Sequence, residues 1–560
     1  MQRILISFVL FLSVGTECIA QSVFLRRNSE DYFLTERCDA MNGIADSLFS
    51  SCQPYCTKDA IPFLQRYVQK HHHELNRTTR HQLEALMGVH AEWAPDAETE
   101  TRSRKPLLRS FYRYKSDFIH YSDQDFLFIL NPILYYQQTK EKGNSTGSLF
   151  INTKGIELRG HILKRLGFYS RFCDNQERGP LHHQEYVLHH QAVPGAAFYK
   201  DFKNDIHAQD YITANGYLDA SLLHEKVNVS FGHDQFHWGD GYRSLFLSDI
   251  GAPYLFLKLN TRLGKINYQN LYLSLTPQFQ RGADRLLDKK FATLHHLSVQ
   301  LNSWLQVGLY ESVVYGRKNQ FELQYLNPVI LYRYVEQANG SPDNALMGLN
   351  FKVNTPIRMI AYGQFLLDEF SFSQMKKGKG WWGNKYGLQL GMKIADLFGV
   401  PNLYVQPELN VIRPFTYSFR DSVAEFSHYN QSLAHPYGAN LFEGSIQIRY
   451  QPAPRIWLSF KGIYNRQGRD TASMVTFGGN IFSSYQNPHD EFGVYLFNGY
   501  VSEVMYANFN CAYEWKSRLY LDLGVRFRNE TAYHPSNPTY SSSMWYAGLR
   551  LNTGRREYDY

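Results

Sequence analysis

Arg455-Ile-Trp-Leu-Ser-Phe-Lys-Gly-Ile-Tyr-Asn-Arg-Gln-Gly468 decides the fold class. Ile456, Leu458, Phe460 and Tyr464 point one way, and Ser459, Lys461 and Asn465 the other. A period of two is a β-strand with one apolar and one polar face. The same alternation sets Phe442, Gly444, Ile446, Ile448 and Tyr450 against Glu443, Ser445, Gln447 and Arg449. It also sets Leu519, Leu521, Leu523, Val525 and Phe527 against Tyr520, Asp522, Gly524, Arg526 and Arg528. Each segment has about the 9–11 residues that a tilted strand needs to cross a bilayer. Full charges on the polar face are costly in a dry core but acceptable in the polar lumen of a lipid-facing barrel.

Working outward, the beat returns in Ala214 to Leu222, Leu255 to Leu259, Leu271 to Leu275, Met347 to Val353, Leu388 to Ile394 and Trp545 to Leu551. Counting from Leu107, the pattern predicts an all-β, antiparallel transmembrane barrel of about 18 strands, within the even-numbered range of such proteins. Pro407 lies on the apolar face of one segment, where it is expected to weaken the strand or mark a bulge. Composition agrees with a barrel. Of 560 residues, 16% are aromatic, with 41 Tyr and 38 Phe, enough for girdles at two membrane interfaces. Mean hydropathy is −0.42, which excludes a helical membrane protein. A net charge of +7 without a basic stripe gives no footprint for nucleic acid. A large secreted β-sandwich is the alternative that composition alone leaves open.

Residues 1–20 read as a signal peptide, with Arg3, the apolar run Ile4 to Val14 and a small-residue site at Cys18-Ile19-Ala20. No later apolar run reaches the length of a membrane helix. Residues 21–106 are expected to form a helical and irregular periplasmic segment. Ile61, Leu64, Tyr67 and Val68 mark one helix, and Leu83, Leu86 and Met87 a second after Thr78-Thr79. Cys52 and Cys56 in an exported chain suggest a short disulfide. His71-His72-His73 reads as a solvated run, and residues 95–106 as a charged linker. The barrel is expected over 107–552, with a long loop near 174–210 that carries His182-His183 and His189-His190, and a charged tail over 553–560. Neither histidine pair has a standard metal-ligand spacing, and no cofactor is expected.

Three stretches do not read as simple strands. Gly232 to Asp249 holds His237, Trp238, Asp240, Tyr242 and Arg243 around Gly239 and Gly241, whose backbones reach angles closed to other residues. Trp and Tyr supply flat faces for a sugar, and the charged groups hydrogen-bond hydroxyls or carboxylates. A rigid turn packed inside the barrel, with Arg243 paired to an acid, explains the same residues. In Phe321 to Asn344, Glu322, Glu336 and Asp343 are candidates to balance Arg243 and Arg333 or to touch a ligand. In Tyr362 to Phe370, Asp368 and Glu369 are adjacent, so a continuing strand would send them to opposite faces and deny a catalytic carboxylate pair. No nucleophile elbow, phosphate loop or metalloprotease motif is present, so an enzyme is not expected.

Trp238-Gly239-Asp240-Gly241 with Leu245-Phe246-Leu247-Ser248 resembles the signature of the Wzi-type capsule-assembly outer-membrane proteins. Glu322…Asn327-Pro328, Glu336-Gln337…Gly340-Ser-Pro-Asp-Asn344 and Gln364…Asp368-Glu369-Phe370 are similar to the gliding-motility, RemB-like branch. The resemblance covers roughly Ile212 to Ile394. It implies a large barrel in the outer membrane of a Gram-negative cell, with a small periplasmic helical element and a role in binding surface polysaccharide. It points to outer-membrane lipids and surface polysaccharide as partners. A scaffold that binds other outer-membrane or periplasmic proteins, and a diffusion pore, are the alternatives.

Overall fold

The computed structural model describes residues 23–44, 48–94, 102–103, 107–108, 110–223, 226–282, 284–470, 475–532 and 539–560. The signal-peptide stretch and most of the charged linker lie outside them. Eighteen antiparallel strands close into one barrel. In chain order they are β1 (Phe126–Glu141), β2 (Leu149–Ile162), β3 (Leu166–Arg178), β4 (Asp205–Leu222), β5 (Val227–Asp234) and β6 (Tyr254–Leu263). Next come β7 (Ile266–Leu275), β8 (Lys290–Gln300), β9 (Leu305–Tyr315), β10 (Asn344–Asn354), β11 (Met359–Leu367) and β12 (Tyr386–Ala395). The last are β13 (Leu403–Ile412), β14 (Leu441–Ala453), β15 (Ile456–Arg469), β16 (Tyr500–Lys516), β17 (Leu519–Ala532) and β18 (Tyr540–Leu551). The ring is sealed where β18 pairs with β1, from Met544 opposite Glu141 to Leu551 opposite Leu134.

The period of two has the expected physical meaning. Outward residues such as Leu349, Leu390, Leu409, Met505, Phe509, Leu523 and Trp545 are exposed around the wall. Their inward neighbours Lys352, Lys393, Glu408, Asn410, Asn508 and Arg526 are buried. An apolar outer band around a polar interior is stable in lipid and not in water. The protein is therefore an outer-membrane barrel. No helix among the described residues is long and apolar enough to cross a membrane. Connections at one end are short, such as 264–265, 454–455 and 517–518, and at the other long, such as 235–253, 316–343, 413–440 and 470–499. Short turns face the periplasm in such barrels, so the long loops mark the outer surface.

The first long strand begins at Phe126 rather than near Leu107, and the short strand Ile119–Ser122 before it pairs antiparallel with the start of β1. Pro407 stays within β13 opposite Ile446, while the ladder from β13 to β12 skips Met392 and Lys393. The missing proline N–H is accommodated by that local gap rather than by losing the strand. The 174–210 stretch is not one loop. β3 continues to Arg178 and β4 starts at Asp205, and between them lies a helix, Leu181–His190, whose His182 and His183 are buried.

Three helices fill the periplasmic mouth: α1 (Glu30–Asn42), α2 (Thr57–His71) and α3 (Arg77–Val89). Asn76 caps α3 by accepting the Thr79 N–H at 2.9 Å, which relieves an orphan donor of the first turn. Sequence periodicity gives α2 and α3 but not α1. That helix has no amphipathic stripe because it is surrounded, and its charged side chains meet the wall. Glu36 pairs with Lys393, Asp39 with Lys352 at 2.6 Å, and Arg37 with Asp396 at 2.8 Å. Cys52 and Cys56 are free thiols, not a disulfide. Cys52 is held in a two-residue ladder opposite Trp238, and Cys56 forms the N-cap residue of α2.

Candidate functional site

The 235–253 connection between β5 and β6 does not project outward; it folds into the lumen and joins the chain's two end segments. Gln53 and Cys52 pair with His237 and Trp238, and the Gly239 N–H donates to Ser51 at 2.7 Å. Gly239 has φ of +145°, and a Cβ there would sit 2.5 Å from the Gln364 amide, so the turn requires glycine.

The side chains beside it are packed or hydrogen-bonded, although the buried Trp238 indole N–H has no hydrogen-bond partner among the described residues. Trp238 is fully buried against His296 and the edge of Tyr310. His237 contacts the Gly241 carbonyl at 3.1 Å, and Asp240 accepts from Ser50 and Ser51. Tyr242 donates its N–H to Glu408 at 2.7 Å and its hydroxyl to Asp559. Arg243 donates to Glu443 at 3.1 and 3.4 Å and to the Asp559 carbonyl at 2.6 Å. Lys461 on β15 completes the knot, 2.9 Å from the Asp559 carboxylate and 3.3 Å from Glu557. From the opposite side, Arg27 reaches Asp249 at 2.6 Å and the Gly241 carbonyl at 2.9 Å.

Residues 552–560 therefore run back inside the barrel instead of trailing from it. Arg556 pairs with Glu177 at 2.9 Å, Arg528 donates to the Tyr560 carbonyl at 3.1 Å, and His182 contacts the Tyr558 carbonyl at 3.0 Å. A polar cavity of about 340 Å³ remains between the β1–β4 wall and these segments, lined among others by Arg26, Arg159, Arg171, Glu157 and Arg556.

The other expected residues lie apart from this knot. Asp343 is held by Arg317 at 2.6 Å and by the Tyr325 hydroxyl at 2.8 Å, with Glu322 at 3.6 Å from the same guanidinium. Glu336 is buried 3.0 Å from Arg333. Of these acids only Glu336 balances an expected partner; Glu443 and Asp559, both distant in sequence, neutralise Arg243. β11 ends at Leu367, so the strand does not continue and Asp368 and Glu369 are not sent apart. Both converge on the Lys385 ammonium, at 3.8 and 3.3 Å. Burial raises the Asp368 carboxyl above its ordinary range, against the pull of Lys385. Among the described residues no cluster is arranged to hold a metal ion.

The outer mouth carries a feature that strand periodicity does not flag. The 368–385 and 470–499 connections zip together, with Gly493 and Val494 donating to the carbonyls of Lys379 and Gly380 at 2.8 and 2.9 Å. Trp382 packs 5.2 Å from Tyr485 and 5.5 Å from Phe415, beside the partly exposed Trp381. The signal in the sequence was composition, Lys376-Lys377-Gly378-Lys379-Gly380-Trp381-Trp382-Gly383, rather than spacing.

No family model matches the sequence, and no curated protein matches it. Among solved structures, the chain is similar to Wzi of Escherichia coli, an outer-membrane protein involved in group 1 capsule assembly and described as a carbohydrate-binding β-barrel. The likeness has a TM-score of 0.56 at 12% identity and covers 96% of this chain and 100% of that one. OprD of Pseudomonas aeruginosa matches at 0.41 and 10% identity over 76% of this chain and 94% of its own. A BenF-like porin of Pseudomonas fluorescens Pf-5 matches at 0.41 and 10% over 76% and 98%. A closed barrel of 18 strands with helices at its short-turn end, matched along almost its whole length, gives this protein the fold of the outer-membrane barrel Wzi.

Proposed function

We propose that this barrel is a non-enzymatic, non-conducting binding protein of the cell surface, and that it holds polysaccharide at its outer mouth. The observation that carries the reading is the filled lumen. Residues 23–42, 235–253 and 553–560 meet inside it through buried, charge-paired side chains, which suits a rigid platform better than a route for solutes. With the interior engaged in its own structure, the loops remain as the recognition surface, and exposed aromatic rings beside charged groups suit sugars. Wzi, whose fold it shares, is described as carbohydrate-binding, which supports the same role here. The finer role is attachment of surface polysaccharide, in capsule assembly or in the surface adhesion that accompanies gliding. A glycan array probed with the purified barrel in detergent tests it. Binding to at least one bacterial surface glycan is expected, together with silence in a planar bilayer; no glycan binding, or steady single-channel currents, would overturn it.

A further inference from the structure

We propose that the binding site at the mouth is the Lys376–Trp382 rim of the 368–385 loop with Tyr495, and that it selects anionic polysaccharide, chains bearing carboxylate or sulfate groups. This rests on the polysaccharide-binding reading above and adds where the chain sits and which charge it carries.

Two rings are fixed before any ligand arrives. Tyr495, 54% exposed, lies on Gly380, where a Cβ would stand 2.9 Å from its ring, and its hydroxyl donates to the Gly378 carbonyl at 3.4 Å. Trp381 folds over Gly383, where a Cβ would be 2.4 Å from the indole. Gly378 and Gly380 have φ of +63° and +64°, so the turn that presents them needs glycine. Rings seated on glycine have little rotamer freedom left to lose on binding, and flat apolar faces of this kind accept the C–H face of a pyranose.

Charge supplies the selectivity. Lys376, Lys377 and Lys379 are exposed and none has an ion pair among the described residues, while the Lys376 ammonium lies over the Phe372 ring, 4.7 Å from its centroid. Four of the five loop carboxylates are directed elsewhere: Asp368 and Glu369 face Lys385, Asp490 pairs with His489, and Asp470 accepts from Thr476 and the Phe477 N–H, which leaves exposed Glu491 as the one acid beside three lysines. Such unpaired ammonium groups beside aromatic rings attract an anionic chain and hold its charged groups as point contacts.

The test uses the full-length barrel in detergent micelles, titrated with oligogalacturonate and dextran sulfate, and with maltooligosaccharide and dextran as neutral counterparts. An anionic chain is expected to bind at least tenfold more tightly than its neutral counterpart, with affinity falling as salt rises. The triple variant Lys376→Gln, Lys377→Gln, Lys379→Gln should lose roughly tenfold, the sum of three exposed charge contacts, and Lys→Arg at the same positions should restore it. Trp381→Ala and Tyr495→Ala should weaken all ligands alike. Each variant is checked for heat-modifiable migration, so that loss of binding is not loss of the barrel. If the wild type binds no glycan, anionic or neutral, the polysaccharide reading itself falls. Should it prefer neutral chains, or the triple variant bind oligogalacturonate unchanged, the site assignment falls and the reading stands. If the triple variant loses only co-purifying lipopolysaccharide, the rim is a lipid-headgroup site and the proposal is overturned.

Discussion

Replacing Arg243 with methionine separates a structural knot from a ligand contact. Its guanidinium is 1% exposed and donates three hydrogen bonds, two to Glu443 and one to the Asp559 carbonyl. Charge-assisted bonds of this kind contribute about 1.5–3 kcal/mol each. Their full sum is not reached, because Glu443 keeps His435 at 3.2 Å and water relaxes into a partly opened lumen. Breaking one member of a buried pair costs about 3–5 kcal/mol, and about 4 kcal/mol is the figure expected here, close to three decades in the unfolding constant. Glu443→Leu should cost a similar amount by stranding Arg243. The double variant should cost less than the sum by about 2 kcal/mol, since each single change already removes the shared contact. Equilibrium denaturant unfolding of the detergent-solubilised barrel, followed by tryptophan fluorescence and gel mobility, measures all four corners of the cycle. The reasoning is refuted if Arg243→Met lies within about 0.5 kcal/mol of wild type, the range of an ordinary surface change, or if the two substitutions simply add. Lost glycan binding at unchanged stability would instead make Arg243 a ligand residue.

Deleting residues 553–560 removes the partners of Lys461, Arg528 and Glu177, and should turn a silent barrel into one with measurable single-channel current; continued silence would show that the other segments close it alone. Leu523→Lys, on the outer face at 64% exposure, should destabilise by about 2–4 kcal/mol in a bilayer, and no cost would contradict a lipid-facing wall there. Cys52 and Cys56 should resist a water-soluble maleimide until the barrel is unfolded, because burial raises both thiols and leaves little thiolate. Cys511, exposed on the outer wall, should likewise stay unlabelled by the water-soluble reagent in intact vesicles and react once the barrel is unfolded, and labelling in the vesicles would contradict a lipid-facing placement.

The barrel was legible because strand periodicity is local. Ile456, Leu458 and Phe460 declare the lipid side within one turn of the pattern, whatever their neighbours do. The helix Glu30–Asn42 was not legible, because it is buried on every side and its stripe is erased by Glu36, Arg37 and Asp39, whose partners lie on the wall. The loop around Trp238 stood out by its glycines and mixed chemistry. Its partners could not be read, since Arg243 meets Glu443 and Asp559 across separations of 200 and 316 residues. Asp368 and Glu369 show the same limit, as their geometry depends on β11 stopping at Leu367, and boundaries are the least local feature of a strand. The Lys376–Trp382 rim is visible only as composition, because a loop has no period to betray its role.

The inward course of residues 552–560 also constrains the order of assembly. Two of the three segments that occupy the interior flank the seam where β18 meets β1, one before the first strand and one after the last. A finished hoop offers neither of them an easy way in. Zipping the Met544–Leu551 edge to Leu134–Glu141 is therefore expected late in folding, after both have been drawn inside. A crosslink placed across the latch before refolding is expected to leave the 553–560 tail open to protease, and a protected tail would refute that order.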